Sequence, residues 1–203
     1  MKARHFALAI TGASGAVYGL RVAEELLRAR ARVSILITEA GFAVLKEECG
    51  LEWGGAETVV LEQLRSRLHH DGDRLSYYAG NDLLAPIASG SSAPDAMLVV
   101  PCSMGTLSRI SGGNSGNLLE RAADVMLKEG RPLVLVPRET PLNAIHLEHM
   151  LKLARLGVRI VPAMPAFYQR PETMEDLVDF VAGKILDSVQ VEHKLFRRWG
   201  GQE

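Results

Sequence analysis

Short apolar runs alternate with longer stretches in which apolar residues recur every three or four positions, and this alternation organises most of the chain. Runs of about four to eight apolar residues bounded by glycine, proline or small polar residues read as buried strands. They predict strands at Phe6–Ile10, Val33–Thr38, Ala96–Pro101, Leu133–Pro137 and Arg159–Pro162. Helical spacing predicts helices near Val17–Arg28, Gly41–Glu48, Leu118–Lys128, Asn143–Leu156 and Thr173–Leu186. From Glu52 to Gly80 the periodicity weakens, and only a helix around Thr58–Leu68 and a strand around Leu75–Tyr78 are read there. Strands separated by helices call for a parallel sheet covered on both faces. The expected fold is therefore α/β: a single-domain, doubly wound, mostly parallel sheet flanked by helices, without internal repeats.

Composition narrows this picture. The 203 residues suit one domain with one large core. At 47% hydrophobic and 23% charged residues, neither disorder nor a fibrous repeat is indicated. A net charge of −1 supplies no global field for nucleic acid or an anionic membrane, so any anion site must be local. The apolar stretch after Met1-Lys2-Ala3-Arg4-His5 stops at Thr11-Gly12, too short for a secretory core, and no run reaches membrane-spanning length. A cytoplasmic protein is expected, with Cys49 and Cys102 as separate reduced thiols.

Ligands of open α/β sheets bind beyond the carboxyl ends of the strands. Here the first strand leads to Thr11-Gly12-Ala13-Ser14-Gly15, the second ends at Thr38, and the central one leads to Cys102-Ser103-Met104-Gly105-Thr106. The next opens onto Arg138-Glu139 and the last onto Pro165-Ala166-Phe167-Tyr168. Hydroxyls, glycines, a guanidinium and a phenol on one rim suit a phosphate-bearing aromatic ligand. The Gly12–Gly15 turn admits two readings: a helix N-terminus offering unpaired N–H groups to an anion, or a tight turn capped by Thr11 or Ser14. It is neither G-x-G-x-x-G nor a Walker loop, and Ala16 breaks the G-x-S-x-G nucleophile elbow.

Other clusters have a plain reading beside a chemical one. Ser89-Gly90-Ser91-Ser92-Ala93-Pro94 is a solvated linker or part of the rim. Arg121 and Lys128 lie two helical turns apart, about 10 Å, as a wet face or, with Arg138, as a cationic pocket for a second phosphate. His146 and His149 at i, i+3 lack the His-Glu-x-x-His spacing and a third ligand, and His69-His70 with Asp71 and Asp73 reads as a polar turn, so no metal site is expected. Glu47-Glu48 ends a helix, where the macrodipole disfavours negative charge, so it is either a carboxylate kept for acid/base work or one of the plain pairs that many helices carry. No aspartate-rich segment of the diphosphate-Mg²⁺ kind is present, so phosphate chemistry without metal is expected.

Taken together, Thr11–Ala16, Asn81-Asp82, Ala88–Ser92, Pro101–Leu107, Asn117–Asp124 and Arg131–Glu139 resemble the UbiX-type flavin prenyltransferases. The resemblance continues through His146-Leu147-Glu148, Phe167-Tyr168 and Arg198-Trp199-Gly200, nearly the whole chain. It implies a Rossmann-like flavoprotein fold, with residues 1–190 forming the flavin-binding domain. The tail 191–203 would dock near the active site or on a neighbouring subunit. It also implies transfer of a dimethylallyl group from dimethylallyl monophosphate to N5 and C6 of reduced FMN, yielding prenylated FMN for a UbiD-type decarboxylase. FMN would be held by Gly12, Ala13, Ser14, Thr38, Ser103, Met104, Gly105, Thr106 and Arg138. The prenyl phosphate would be held by Arg121, Lys128, Arg138, Glu139, Tyr168, Lys184 and Trp199, with Ser14, Glu48, Lys128 and Glu139 catalytic. Lys184 stands where the family carries arginine, which keeps the charge and loses the bidentate fork. A homo-oligomer, typically a dodecamer with shared active sites, is implied as well.

Two rivals remain at this level. A flavin-dependent cysteine decarboxylase of the same fold group would need an early histidine and a late Pro-x-Met-Asn stretch, but Pro86-Ile87 and Pro162-Ala163-Met164-Pro165 stand there. A non-catalytic FMN carrier would have no use for a second phosphate site.

Overall fold

The computed structural model describes residues 3–198. Six strands, β1 His5–Ile10, β2 Arg32–Ile37, β3 Leu75–Tyr77, β4 Ala96–Cys102, β5 Leu133–Pro137 and β6 Arg159–Ile160, form one sheet in the order β3-β2-β1-β4-β5-β6. Every pairing is parallel. Strand order reverses between β1 and β4, and a crevice at such a switch point is where this architecture receives ligands. The helices are α1 Ala16–Arg28, α2 Glu39–Cys49, α3 Glu57–Leu68, α4 Met104–Ser111, α5 Leu118–Lys128, α6 Ala144–Arg155 and α7 Met174–Ser188. Two short 3₁₀ turns, Pro86–Ala88 and Gly90–Ser92, lie between β3 and β4.

Side-chain alternation along the strands divides the core into two layers. Phe6, Leu8 and Ile10 of β1 pack with Leu20, Ala23 and Leu27 of α1 and with Val181 and Ile185 of α7. Ala7 and Ala9 face the opposite layer, where Leu107, Ala122 and Met126 from α4 and α5 cover Val99 and Leu135. The central strands are buried throughout, as strands covered on both faces must be.

Most predicted elements are present, with shifted ends. β6 is shorter than the expected Arg159–Pro162, because Pro162 has no N–H to donate; Val161 and Ala163 still donate to Leu135 and Pro137 at 2.9 and 3.1 Å. The helix α4 was not among the sequence expectations. Its residues Met104–Ser111 are rich in Gly, Ser and Thr, which are poor helix formers, and it is short. It starts because the Ser103 side chain accepts from Thr106 N at 3.2 Å. Among the described residues, no helix is long and apolar enough to cross a membrane.

Helix α1 lies unusually close to the sheet at Gly19. A Cβ there would sit 2.4 Å from the Val100 carbonyl oxygen and 2.9 Å from Ile10 Cγ1. The absent side chain sets how near the first βα unit comes to the switch point.

Candidate active site

Three βα turns meet at the carboxyl edge. Thr11 fastens two of them: its hydroxyl donates to Pro101 O at 2.7 Å and accepts from Ser103 N at 2.8 Å. The turn after β1 is thereby held beside the turn after β4. Ser103, the N-cap of α4, also donates to Thr106 Oγ1 at 3.0 Å. The third turn comes from β2, where Thr38 caps α2 by accepting from Gly41 N at 3.0 Å. A Cβ on Gly41 would meet Ile10 O at 2.6 Å, and one on Gly12 would meet Ala40 Cβ at 2.4 Å, so these glycines let α2 press against the end of β1.

Arg138, just past β5, reaches this same edge: its Nε donates to Ser14 O at 3.3 Å. Glu48 arrives from the last turn of α2, and its Oε2 accepts from Gly15 N at 2.8 Å and Ala16 N at 3.1 Å. Neither reading of the turn holds as given: the N-cap is Gly15, with no side-chain cap from Thr11 or Ser14, and these N–H groups are not open to an external anion. The anion seated there is the chain's own carboxylate, disfavoured by the dipole at the end of α2 and favoured by that at the start of α1. Glu48→Gln retains an acceptor and removes the charge, so a stability loss of about 0.5–1 kcal/mol at low salt is expected. Urea denaturation at two ionic strengths checks this, the difference shrinking as salt rises.

Gly12, Ala13, Ser14, Thr38, Glu48, Ser103, Met104, Gly105, Thr106 and Arg138 thus share one edge. Glu139 follows Arg138, exposed, its carboxylate accepting from Thr140 N at 3.0 Å. Arg121 and Lys128 lie away from that edge. Lys128 ends α5, which returns to the amino edge of the sheet, and β5 then spans five residues, about 16 Å, before Arg138 is reached. Lys128 pairs with Glu129, while Arg121 donates to Ala88 O at 3.2 Å and pairs with Asp124 at 3.4 Å. The expected cationic pocket of Arg121, Lys128 and Arg138 is therefore not formed within one chain, because helix and strand run in opposite directions between the edges.

Tyr168 packs edge-on against Phe180 of α7, ring centroids 5.9 Å apart. Lys184 lies further along α7, 4.0 Å from Asp187. Asp187 also accepts from Arg198 Nη2 at 2.7 Å and His193 Nε2 at 3.2 Å. Burial pushes the Asp187 carboxyl up, but the bonds to Arg198 and His193 outweigh it and hold it below its ordinary range. Phe196 stacks on Phe180 at 5.1 Å, so the described part of the tail lies along α7. Trp199 falls outside the described residues.

Both helix histidines have structural partners. His146 completes a capping box with Asn143, and His149 bridges Ser111 at 3.0 Å and Ser108 at 3.3 Å, tying α6 to α4. Among the described residues no group of three or more His, Cys, Asp or Glu gathers as a metal site.

Cys102 is fully buried, and burial pushes its thiol up to about 12, whereas Cys49 is half-buried and raised by burial and the nearby Glu48. A maleimide at neutral pH should therefore label Cys49 slowly and Cys102 only after unfolding. Mass mapping of the labelled peptides checks it, and rapid labelling of Cys102 in the native protein would contradict the packing of β4.

A cavity of about 490 Å³ opens beside the rim, lined by Thr38, Phe42, Tyr77, Asn81 and Asn117 among others. A larger groove of about 970 Å³ runs along α3 between Trp53 and His69 and contains none of the rim residues. The rim has the better chemistry for a ligand. Its hydroxyls, helix N-termini and guanidinium match a phosphate and a polar heterocycle, which fits FMN.

Such a rim at the switch point of a parallel sheet defines a flavin-binding α/β protein, and the family model described as Flavoprotein matches residues 1–186. The flavin prenyltransferase UbiX of Halalkalibacterium halodurans is 54% identical over 195 residues, covering 96% of this chain and 93% of that relative. A crystal structure of AnUbiX in complex with FMN and dimethylallyl pyrophosphate is 39% identical, with a TM-score of 0.87 over the whole of both chains. A dodecameric FMN-dependent UbiX-like decarboxylase from Escherichia coli O157:H7, also 39% identical, gives a TM-score of 0.85 over 97% of this chain and 100% of that one. The chain belongs to the flavin prenyltransferase UbiX family, a family of transferases.

The partners of Glu48, the Gly15 and Ala16 N–H groups, are not legible from the sequence, since they depend on how α2 packs beside the start of α1.

Proposed function

We propose that the chain transfers a dimethylallyl group from dimethylallyl monophosphate to N5 and C6 of reduced FMN, and that a UbiD-type decarboxylase receives the product in the cytoplasm. The observation that carries this reading is the convergence of Ser14, Ser103 and Arg138 on one edge of the sheet, in a chain 54% identical to a flavin prenyltransferase.

Gly12, Ala13, Ser14, Thr38, Ser103, Met104, Gly105, Thr106 and Arg138 hold the flavin. When bound and reduced, FMN supplies the nucleophilic N5 and C6 atoms. The chain's own work is positioning and electrostatics. Arg138 draws on the departing phosphate with a guanidinium already placed at the rim. Ser14, Glu48 and Glu139 hold or move the proton given up at C6 as the new ring closes. No step calls for a metal ion.

Lys128, with Arg121, completes the prenyl-phosphate site from a neighbouring copy, and Tyr168, Lys184 and Trp199 belong to that site as well. Two facts support the sharing: Lys128 lies a strand's length from Arg138 in its own chain, and a 39% identical relative is dodecameric. Residues 1–190 form the flavin domain, and the tail 191–203 docks near the active site or on a neighbouring subunit.

Anaerobic incubation of the protein with reduced FMN and dimethylallyl monophosphate, followed by mass spectrometry of the flavin, tests the reading. A flavin heavier by one C5 prenyl unit is expected. An unchanged flavin would leave the carrier reading.

A further inference from the structure

Gly183 lies buried inside α7, where glycine weakens a helix relative to alanine. A Cβ on it would sit 2.4 Å from Phe196 Cε1 and 2.6 Å from His193 Cε1. Two rings of the tail thus rest directly on the helix backbone, and the glycine makes the room. His193, its side chain 1% exposed, is held on both ring nitrogens: Nδ1 accepts from Leu195 N at 3.2 Å, and Nε2 donates to Asp187 Oδ1 at 3.2 Å. Arg198 then closes on the same carboxylate as a fork, Nη2 to Oδ1 at 2.7 Å and Nη1 to Oδ2 at 3.2 Å. Both oxygens of Asp187 are therefore engaged by the tail.

This bears on Lys184. Residues three apart on a helix are neighbours, and a lysine and an aspartate at that spacing ordinarily pair. Here the Lys184 ammonium stands 4.0 Å from Asp187 Oδ2, beyond hydrogen-bond reach, with 52% of its side chain exposed. Tail and helix compete for one carboxylate, and the guanidinium, with two bonds in fixed geometry, holds it.

Resting on the function proposed above, we propose that Arg198 and His193 are positioning residues: by occupying Asp187 they keep the Lys184 ammonium available to the prenyl phosphate. Without the fork, Asp187 turns to Lys184, its neighbour one helical turn away, and the ammonium is drawn off the phosphate. The effect falls on binding of the prenyl phosphate. Flavin binding is untouched, because the residues that hold FMN lie on the βα turns and not on α7.

Measured anaerobically with reduced FMN, Arg198→Ala should raise KM for dimethylallyl monophosphate about 2- to 5-fold, the size of an exposed ion pair. Its FMN affinity and its kcat at saturating prenyl phosphate should stay close to the parent's. Adding Asp187→Asn to that variant removes the competing charge and should return KM to the parent's value. A tail that merely packs on α7 predicts the reverse, since the second substitution weakens the clasp further. An unchanged KM in Arg198→Ala, or a raised KM that Asp187→Asn does not lower, would overturn the proposal.

A second readout does not depend on prenyl transfer. Acylation of Lys184 by a succinimidyl ester, mapped by mass spectrometry without prenyl phosphate present, reads the same competition, because an amine paired with a carboxylate is held protonated and reacts slowly. Lys184 should label more slowly in Arg198→Ala than in the parent, and at the parent's rate in the double variant. Equal rates in all three proteins would equally overturn the proposal. Should the parent make no prenylated flavin, the proposed function fails, and the labelling still decides whether the tail holds Asp187 off Lys184.

Discussion

Arg138→Ala is expected to lower the rate of prenyl transfer by about 10²-fold or more, on the order of 3 kcal/mol of barrier, as loss of one preorganised donor does. The guanidinium leaves β5 at the carboxyl edge and is fixed there by its bond to Ser14 O. It needs no reorganisation when charge develops on the phosphate, and this is why its removal falls on the rate more than on folding. Arg138→Lys should recover only part of the loss, since an ammonium keeps the charge without the planar fork. Single-turnover rates with saturating reduced FMN and dimethylallyl monophosphate provide the check. Unchanged turnover in Arg138→Ala would remove this residue from the mechanism.

Gly19→Ala should be the most damaging small substitution in the fold. The added methyl would stand 2.4 Å from a backbone oxygen of β4 and 2.9 Å from Ile10 Cγ1, and a backbone oxygen in a buried strand cannot swing aside. Helix α1 must lift from the sheet, an overpacking cost of about 3 kcal/mol. For a domain of this size that is a Tm lower by roughly 6–12 °C. The displaced helix carries the Gly12–Gly15 turn, so FMN affinity should fall as well. Thermal denaturation with flavin titration checks both, and a native-like Tm would show that α1 tolerates a wider seat.

The two largest effects concern different levels of legibility in the sequence. The fold could be read because each central strand is a continuous apolar run and most helices keep helical spacing. What periodicity could not reveal was α4, whose Ser, Thr and Gly residues have weak helix propensity and whose start depends on the Ser103 cap. Rim residues directly after strands, such as Ser14, Thr38, Ser103 and Arg138, were legible from strand ends alone. Glu48 was noticed for its unfavourable place at the end of α2, but its partner, the start of α1, is a tertiary fact.

Arg121 and Lys128 share one helix, α5, as their spacing implies, but α5 runs away from the edge that Arg138 occupies, which spacing alone does not report. The family resemblance placed them at a phosphate site, and a single chain keeps them a strand's length from it. Chain geometry and family pattern agree only if copies of the protein meet at that site.

A crystal structure with FMN and dimethylallyl monophosphate bound tests the central claim most directly. The expected result is the flavin against Ser14, Ser103 and Arg138 at the carboxyl edge, with the prenyl phosphate between Arg138 and basic side chains of neighbouring copies. A flavin lodged in the groove along α3, with Ser14, Ser103 and Arg138 facing different sides of the molecule, would contradict it.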